Sequence, residues 1–183
     1  QMCIRDSKPS LLLLDEPLSA LDPEVRLKMG QELIRIQEEL NLSFLMVTHD
    51  EREASFCCSK VFVMDQGRLV QEGSPKEIYE NPKSIFAARF FGPINHLGNQ
   101  RYLRPDSMEI VGLQEGQYRG NVRDCKYHQG RFCISVLLDQ GEEILVYHDQ
   151  KIDKDVSVGL SLLKNNILPV SYTHLRAHET GRN

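Results

Sequence analysis

The chain has 183 residues, 40% of them hydrophobic and 26% charged, which suits one medium or two small globular domains. A formal net charge of -4 argues against a dominant nucleic-acid surface, and no apolar run reaches the length that spans a bilayer. The five cysteines show no metal-ligand spacing: Cys57 and Cys58 are adjacent, while Cys125 and Cys133 fall on separate predicted strands. With no secretory signal, reduced thiols in a cytosolic protein are expected.

Ser7-Lys8-Pro9-Ser10 leads into Leu11-Leu12-Leu13-Leu14, an all-apolar run that predicts a strand buried on both faces, as in a parallel sheet covered by helices. Asp15 and Glu16 follow directly, at the C-terminal strand end where open α/β sheets hold their ligands. As strand neighbours they are expected to point to opposite faces, one free for a metal and the other for a nucleophile. Pro17 ends the strand, since it has no N–H for the ladder. A bare run of this kind also reads as a buried strand ending in an acidic turn.

Asp22-Pro23 predicts a helix N-cap with Pro at the first helical position. The helix runs from Pro23 to Glu39, with Val25, Met29, Leu33, Ile36 and Leu40 as one apolar core stripe and Asn41 as C-cap. Ser43–Thr48 predicts a second central strand, and His49 stands at its end, so both strands deliver polar groups to one sheet edge. Asp50, Glu51 and Glu53 favour the positive N-terminus of the next helix, on which Cys57 and Cys58 are expected to pack.

Lys60–Met64 and Arg68–Glu72 predict a hairpin about Asp65-Gln66-Gly67. Ser74-Pro75-Lys76-Glu77 is a capping box with Pro at N1, and a further helix is predicted over Lys83–Phe91 before Gly92-Pro93. From about Leu97 the pattern changes to short β-type runs, 108–113, 117–123, 131–138 and 143–147, with turns at Glu115-Gly116, Gln129-Gly130 and Gln140-Gly141. Regular short strands with glycine turns predict a small barrel. His128 and His148 read as surface residues near turns.

Leu11–Asp22 resembles the Walker B and D-loop segment of ABC-type ATPases, hhhhDEP followed by S-A-L-D. Val47-Thr48-His49-Asp50 resembles the H-loop of the same family, and Asp50–Ala54 its THDxxEA helix start. Gly73–Pro82 resembles the tail of importer-type nucleotide domains. Leu103-Arg104-Pro105-Asp106 resembles the entry to the OB-like barrel of the TOBE type that follows some importer ATPases. The implied fold is α/β: residues 7–93 as the C-terminal half of an ABC-type P-loop nucleotide domain with a parallel sheet, and 97–168 as the TOBE-like barrel. The resemblance implies ATP and Mg²⁺ as cofactors. Asp15 would bind Mg²⁺ through water, Glu16 would act as general base or water-orienting carboxylate, and His49 would contact the γ-phosphate. Ser19, Ala20, Leu21 and Asp22 would form the D-loop that crosses to a partner subunit.

The resemblance further implies an ATP-hydrolysing subunit of an ABC importer, peripheral on the cytoplasmic face of the plasma membrane. Its partners would be a second nucleotide subunit in a homodimer, transmembrane permease subunits and, indirectly, a solute-binding protein, with no nucleic acid. Phe90-Phe91-Gly92-Pro93-Ile94-Asn95 before the barrel looks most like polyamine importer ATPases, with iron(III), sulfate and sugar importers as alternatives. A non-transport ABC ATPase, or a barrel that senses a small anion, are the other readings. No G-x-x-x-x-G-K-[ST] or LSGGQ run occurs in the chain, so it is expected to hold half a catalytic site and to be inactive alone.

Both ends look foreign. Met2-Cys3-Ile4-Arg5-Asp6 can be encoded ATG TGT ATA AGA GAC, whose reverse complement translates to Val-Ser-Tyr-Thr-His. That peptide is present as Val170–His174. Residues 1–6 and 170–183 are therefore expected to be translated sequencing adapter, which leaves roughly 7–169 as native.

Overall fold

A computed structural model describes residues 10–163 and 167–170. The end peptides read as adapter lie outside these, Val170 apart. The described residues group into two compact units, one built from the chain up to Val63 with Glu72–Glu77, the other from Met64–Gln71 and the chain from Ile78 onward.

In the first unit, β1 (Leu11–Asp15) and β2 (Ser43–Val47) pair in parallel, in a register that runs from Leu11 opposite Ser43 to Asp15 opposite Val47. Helix α1 (Pro23–Leu40) joins them, and α2 (Glu51–Cys57) follows β2. Asp22 caps α1 as expected, accepting from the Glu24 and Val25 amides, and Asn41 ends it in the left-handed conformation at φ 49°.

Two packing expectations are corrected here. The strands are not buried on both faces: Leu12, Leu14, Phe44 and Met46 are half-buried, while Leu11, Leu13, Leu45 and Val47 stay 49%, 67%, 50% and 57% exposed. Strand alternation divides the two sets, and among the described residues only one face is covered. The inward face of α1 is also rotated from the expected stripe. Val25, Met29 and Leu40 are exposed, Leu33 and Ile36 of that stripe are half-buried as expected, and the covered line also takes in Arg26, Gly30 and Ile34. The cause is Gly30, the buried residue of α1: a Cβ there would stand 3.1 Å from the Cys57 Sγ and 3.6 Å from the Phe56 ring. A helix without a side chain at that point lies close against α2, and the close approach selects the face centred on residue 30.

Strands β3 (Val61–Asp65) and β4 (Arg68–Gly73) form the expected hairpin, turning through Gln66 at φ 48° and Gly67 at φ 73°. Helix α3 (Pro75–Glu80) opens on the expected capping box: Ser74 N and Oγ donate to the Glu77 carboxylate, and the Glu77 amide donates back to Ser74 Oγ. Those bonds hold the Glu77 carboxyl below the usual carboxylate range.

The second unit carries α4 (Ile85–Phe90), the short pair β5 (Asn95–His96) and β6 (Tyr102–Leu103), and β7 (Met108–Val111), β8 (Tyr118–His128), β9 (Arg131–Leu138), β10 (Glu143–His148) and β11 (Ser157–Leu162). The last five form one antiparallel sheet in the order β10-β9-β8-β11-β7. The predicted runs account for β7 to β10; β11 was not among them, and β8 runs on to His128. Gly159 in β11 admits the Gly112 carbonyl, which would lie 2.3 Å from a Cβ. The core is aliphatic, with Leu103, Val122, Ile134, Val136, Val146 and Leu160 fully buried. Asn95 is buried and continues the ladder with its side chain: Nδ2 donates to the Leu145 carbonyl at 2.7 Å, and Oδ1 accepts from the Leu145 amide at 2.8 Å. Among the described residues no helix is long and apolar enough to cross a membrane.

Candidate functional site

The parallel pairing brings the C-terminal ends of β1 and β2 side by side, and the Glu16 amide extends the ladder by donating to the Val47 carbonyl at 2.9 Å. Asp15 is the last strand residue and is exposed. Glu16 has left the strand: its φ is 44°, in the left-handed region that an L side chain enters at a cost of about 1–2 kcal/mol. Strand alternation therefore does not set where its carboxylate points, which corrects the expected opposite facing of the two acids. The turn holds Glu16 through its carbonyl, which accepts from Ser19 N at 3.3 Å and Ser19 Oγ at 3.0 Å. Leu18 plugs that turn from inside at 3% exposure, and Leu21 N donates to its carbonyl at 3.2 Å.

His49 meets Glu16 across the two strand ends, Nδ1 to Oε1 at 3.0 Å, although the two lie thirty-three residues apart in the chain. Both side chains are open, at 74% and 46% exposure. With Nδ1 committed to the carboxylate, Nε2 is the ring nitrogen left for a ligand, and it donates only when the ring carries two protons. Asp15, Glu16 and His49 thus share one edge. Ser19 and Ala20 are exposed, Leu21 is half-buried, and Asp22 caps α1; of these Ser19 bonds to Glu16, through its carbonyl and not its carboxylate.

Sequence reasoning missed what holds the flanks of His49. Thr48 Oγ1 donates to Glu53 Oε2 at 2.6 Å and accepts from the Asp50 amide at 3.0 Å. Asp50 caps α2 by accepting from Arg52 N at 2.8 Å, and its other oxygen takes Arg26 Nη1 at 2.5 Å. The sequence signals were present as an arginine in the first turn of α1 and an acid in the first turn of α2.

Beside this network, Leu27, Phe56 and Cys57 line a groove of about 200 Å³. Burial, with Cys58 and Glu53 adding negative charge, pushes the Cys57 thiol up to about 11. Near neutral pH it should hold about 100-fold less thiolate than an ordinary cysteine. Alkylation by iodoacetamide, followed by peptide mass spectrometry across pH, is therefore expected to stay slow at pH 8 and to rise toward pH 11. Because the unfolded thiol ionises first, this group lowers stability as pH climbs through that interval.

One exposed carboxylate suits a magnesium ion held mainly by water and phosphate oxygens. Mg²⁺ prefers one or two carboxylates plus waters and phosphate oxygens to an all-protein cage. Asp15 offers such a carboxylate, and among the described residues no three His, Cys, Asp or Glu side chains form a metal site by themselves.

No protein-family model matches the chain. It is similar to spermidine/putrescine import ATP-binding proteins PotA. That from Desulfitobacterium hafniense (strain Y51) is 32% identical over 88% of this chain and 54% of its own length. That from Escherichia coli (strain K12) is 43% identical over 76% of this chain and 34% of its own, and that from Vibrio cholerae 51% identical over 49% and 24%. The chain thus spans about half, or less, of the relatives it matches. A solved structure of cbiO1 from Clostridium perfringens, part of the ABC transporter complex cbiONQ, is 38% identical over 39% of this chain and 29% of its own, at a TM-score of 0.38, an overlap too loose to bear on the fold.

Proposed function

We propose, for a chain that belongs over the span it shares with them to the ATP-binding subunits of ABC importers, that it supplies the hydrolytic half of such a subunit's nucleotide site. The observation that carries this reading is the 3.0 Å contact of Glu16 with His49 at adjacent ends of two parallel strands. Residues 7–93 are then the C-terminal part of the nucleotide domain. The five-stranded antiparallel sheet supports reading 97–168 as the small OB-like barrel behind it.

In this reading Asp15 would hold Mg²⁺ through water, and the ion would supply positive charge to the nucleotide's phosphates. Glu16 orients the attacking water and takes its proton, and its fixed turn sets the direction of that approach. His49 presents Nε2 to the terminal phosphate, to which it would donate only as a doubly protonated ring. Ser19 to Asp22 lie beside Glu16, so a D-loop contact from a second copy would act on the base through the Ser19 bonds to its carbonyl. Permease subunits would couple closing and opening of that pair to solute passage, with polyamines as the favoured cargo because the relatives are so named. The protein would sit peripherally on the cytoplasmic face of the membrane.

The test is ATP turnover. The full-length protein that contains this segment is expected to hydrolyse ATP with Mg²⁺ and to lose most of its rate in His49→Ala; a full-rate His49→Ala protein removes the assigned role. The 183-residue chain itself, which has no G-x-x-x-x-G-K-[ST] run to cradle phosphate, is expected to show no turnover by phosphate release. Turnover from this chain that vanishes in Glu16→Gln would contradict that.

A further inference from the structure

We propose that Arg26 and Glu53 are positioning residues for the Glu16–His49 pair, forming a tie that holds the backbone on both sides of His49 and anchors it to the end of the 19–22 turn. The purpose of this tie rests on the ATPase reading above; its geometry does not.

His49 is mostly solvent-exposed, and Glu16 is the side chain it meets. Packing cannot fix an imidazole in that setting, so its direction follows the backbone that carries it. That backbone is clamped on either side. Thr48 is bonded to Glu53, whose side chain is 3% exposed, and Asp50 is bonded to Arg26. Glu53 and Arg26 also meet, Oε1 to Nε at 3.7 Å. The guanidinium turns its remaining arm to the Leu21 carbonyl, which Nη2 reaches at 3.0 Å.

One side chain thereby touches the last part of the 19–22 turn, the residue after His49 and the acid that holds the residue before it. A buried carboxylate is costly unless charge and hydrogen bonds both meet it. Thr48 gives Glu53 a hydrogen bond and Arg26 gives it a counter-charge, although Arg26 Nε itself makes no hydrogen bond there. Removing either member frees the His49 turn relative to Glu16. A planar fork suits the three-way contact; the single ammonium of a lysine does not reproduce it.

The experiment uses the 183-residue chain, with the His49 ring ¹⁵N resonances recorded by long-range heteronuclear correlation. Glu16→Ala, which removes the acceptor, defines the shift caused by breaking the pair itself. Arg26→Met and the isosteric Thr48→Val are both expected to move the His49 ring resonances most of the way to the Glu16→Ala position. Amide resonances of the antiparallel sheet should stay in place, which separates this effect from general unfolding. Adding Arg26→Met to Glu16→Ala should produce little further change, and Arg26→Lys should restore the wild-type position only in part. Should Arg26→Met fail to fold, Thr48→Val still decides. Wild-type His49 resonances in Arg26→Met and Thr48→Val, with a clear shift in Glu16→Ala, overturn the tie and leave the functional reading standing. No shift in Glu16→Ala itself means that the pair does not exist in solution, and both fall.

Discussion

Replacing Arg104 with methionine is expected to lower the unfolding free energy by about 3–5 kcal/mol. The guanidinium is 3% exposed and works as a four-way staple for the main chain. Nη1 donates to the carbonyls of Ala88 at 2.8 Å, Gly92 at 3.0 Å and Pro93 at 3.3 Å, and Nη2 to that of Tyr79 at 3.3 Å. Its carbon also lies 4.2 Å from the Tyr79 ring centroid, within cation–π range. Ala88 and Gly92 stand at the C-terminal end of α4, where helix carbonyls lack intrahelical partners and carry partial negative charge. Methionine fills much of the volume but leaves those acceptors dry, and each unsatisfied one costs about 1–3 kcal/mol.

Arg104→Lys keeps the charge and should lose less, because one ammonium reaches only some of the carbonyls. Urea unfolding followed by tyrosine emission measures both. A second readout is spectroscopic. Burial and the Asp106 carboxylate hold the Tyr79 hydroxyl above its usual range, against the pull of Arg104. Losing the cation should push that hydroxyl further up, seen as a later rise in ultraviolet absorbance on alkaline titration. A loss under about 1 kcal/mol in Arg104→Met would mean that water replaces the guanidinium freely.

Much of this structure was legible in the sequence, wherever local chemistry decides. Asp22 and Asn41 at the ends of α1, the Ser74–Glu77 box and the Gln66-Gly67 turn follow from which backbone groups lack partners and which residues tolerate positive φ. The convergence of Glu16 and His49 followed from two apolar runs that each end in a polar group, since parallel strands align their C-terminal ends. What stayed hidden depends on a partner surface. Periodicity showed that α1 has an apolar stripe, but Gly30 decides which face turns inward, and it does so through Cys57 and Phe56 on another helix. Glu53 looked like one more acid at a positive helix end; its burial against Arg26 and Thr48 needs three segments together. β11 escaped because Gly159 weakens its strand pattern, and the reason for that glycine is the Gly112 carbonyl brought in from another part of the sheet. Arg104 was visible only as part of a motif, because its acceptors are backbone carbonyls without sequence identity.

In the full-length protein, Glu16→Gln is expected to cut ATP turnover by about 10²–10⁴-fold while leaving nucleotide affinity intact. The substitution isolates charge from position. Glutamine has nearly the same shape, keeps a carbonyl oxygen that accepts from His49 Nδ1, and leaves untouched the main-chain bonds of residue 16 to Val47 and Ser19. The amide cannot take a proton from water at any working pH, so a rate that depends on that transfer falls. In the proposed reading the steps before it, metal and nucleotide binding with closure of two subunits, would not need the negative charge. The ATP-bound pair should therefore accumulate, visible as a dimer on size exclusion in the presence of ATP and Mg²⁺. Asp15→Asn should differ in kind by weakening Mg²⁺-dependent nucleotide binding, because in the proposed reading the anionic oxygen it removes would serve the metal rather than the water. A Glu16→Gln protein that turns over at the wild-type rate would strip Glu16 of its role as base, leaving its strained turn without a chemical purpose.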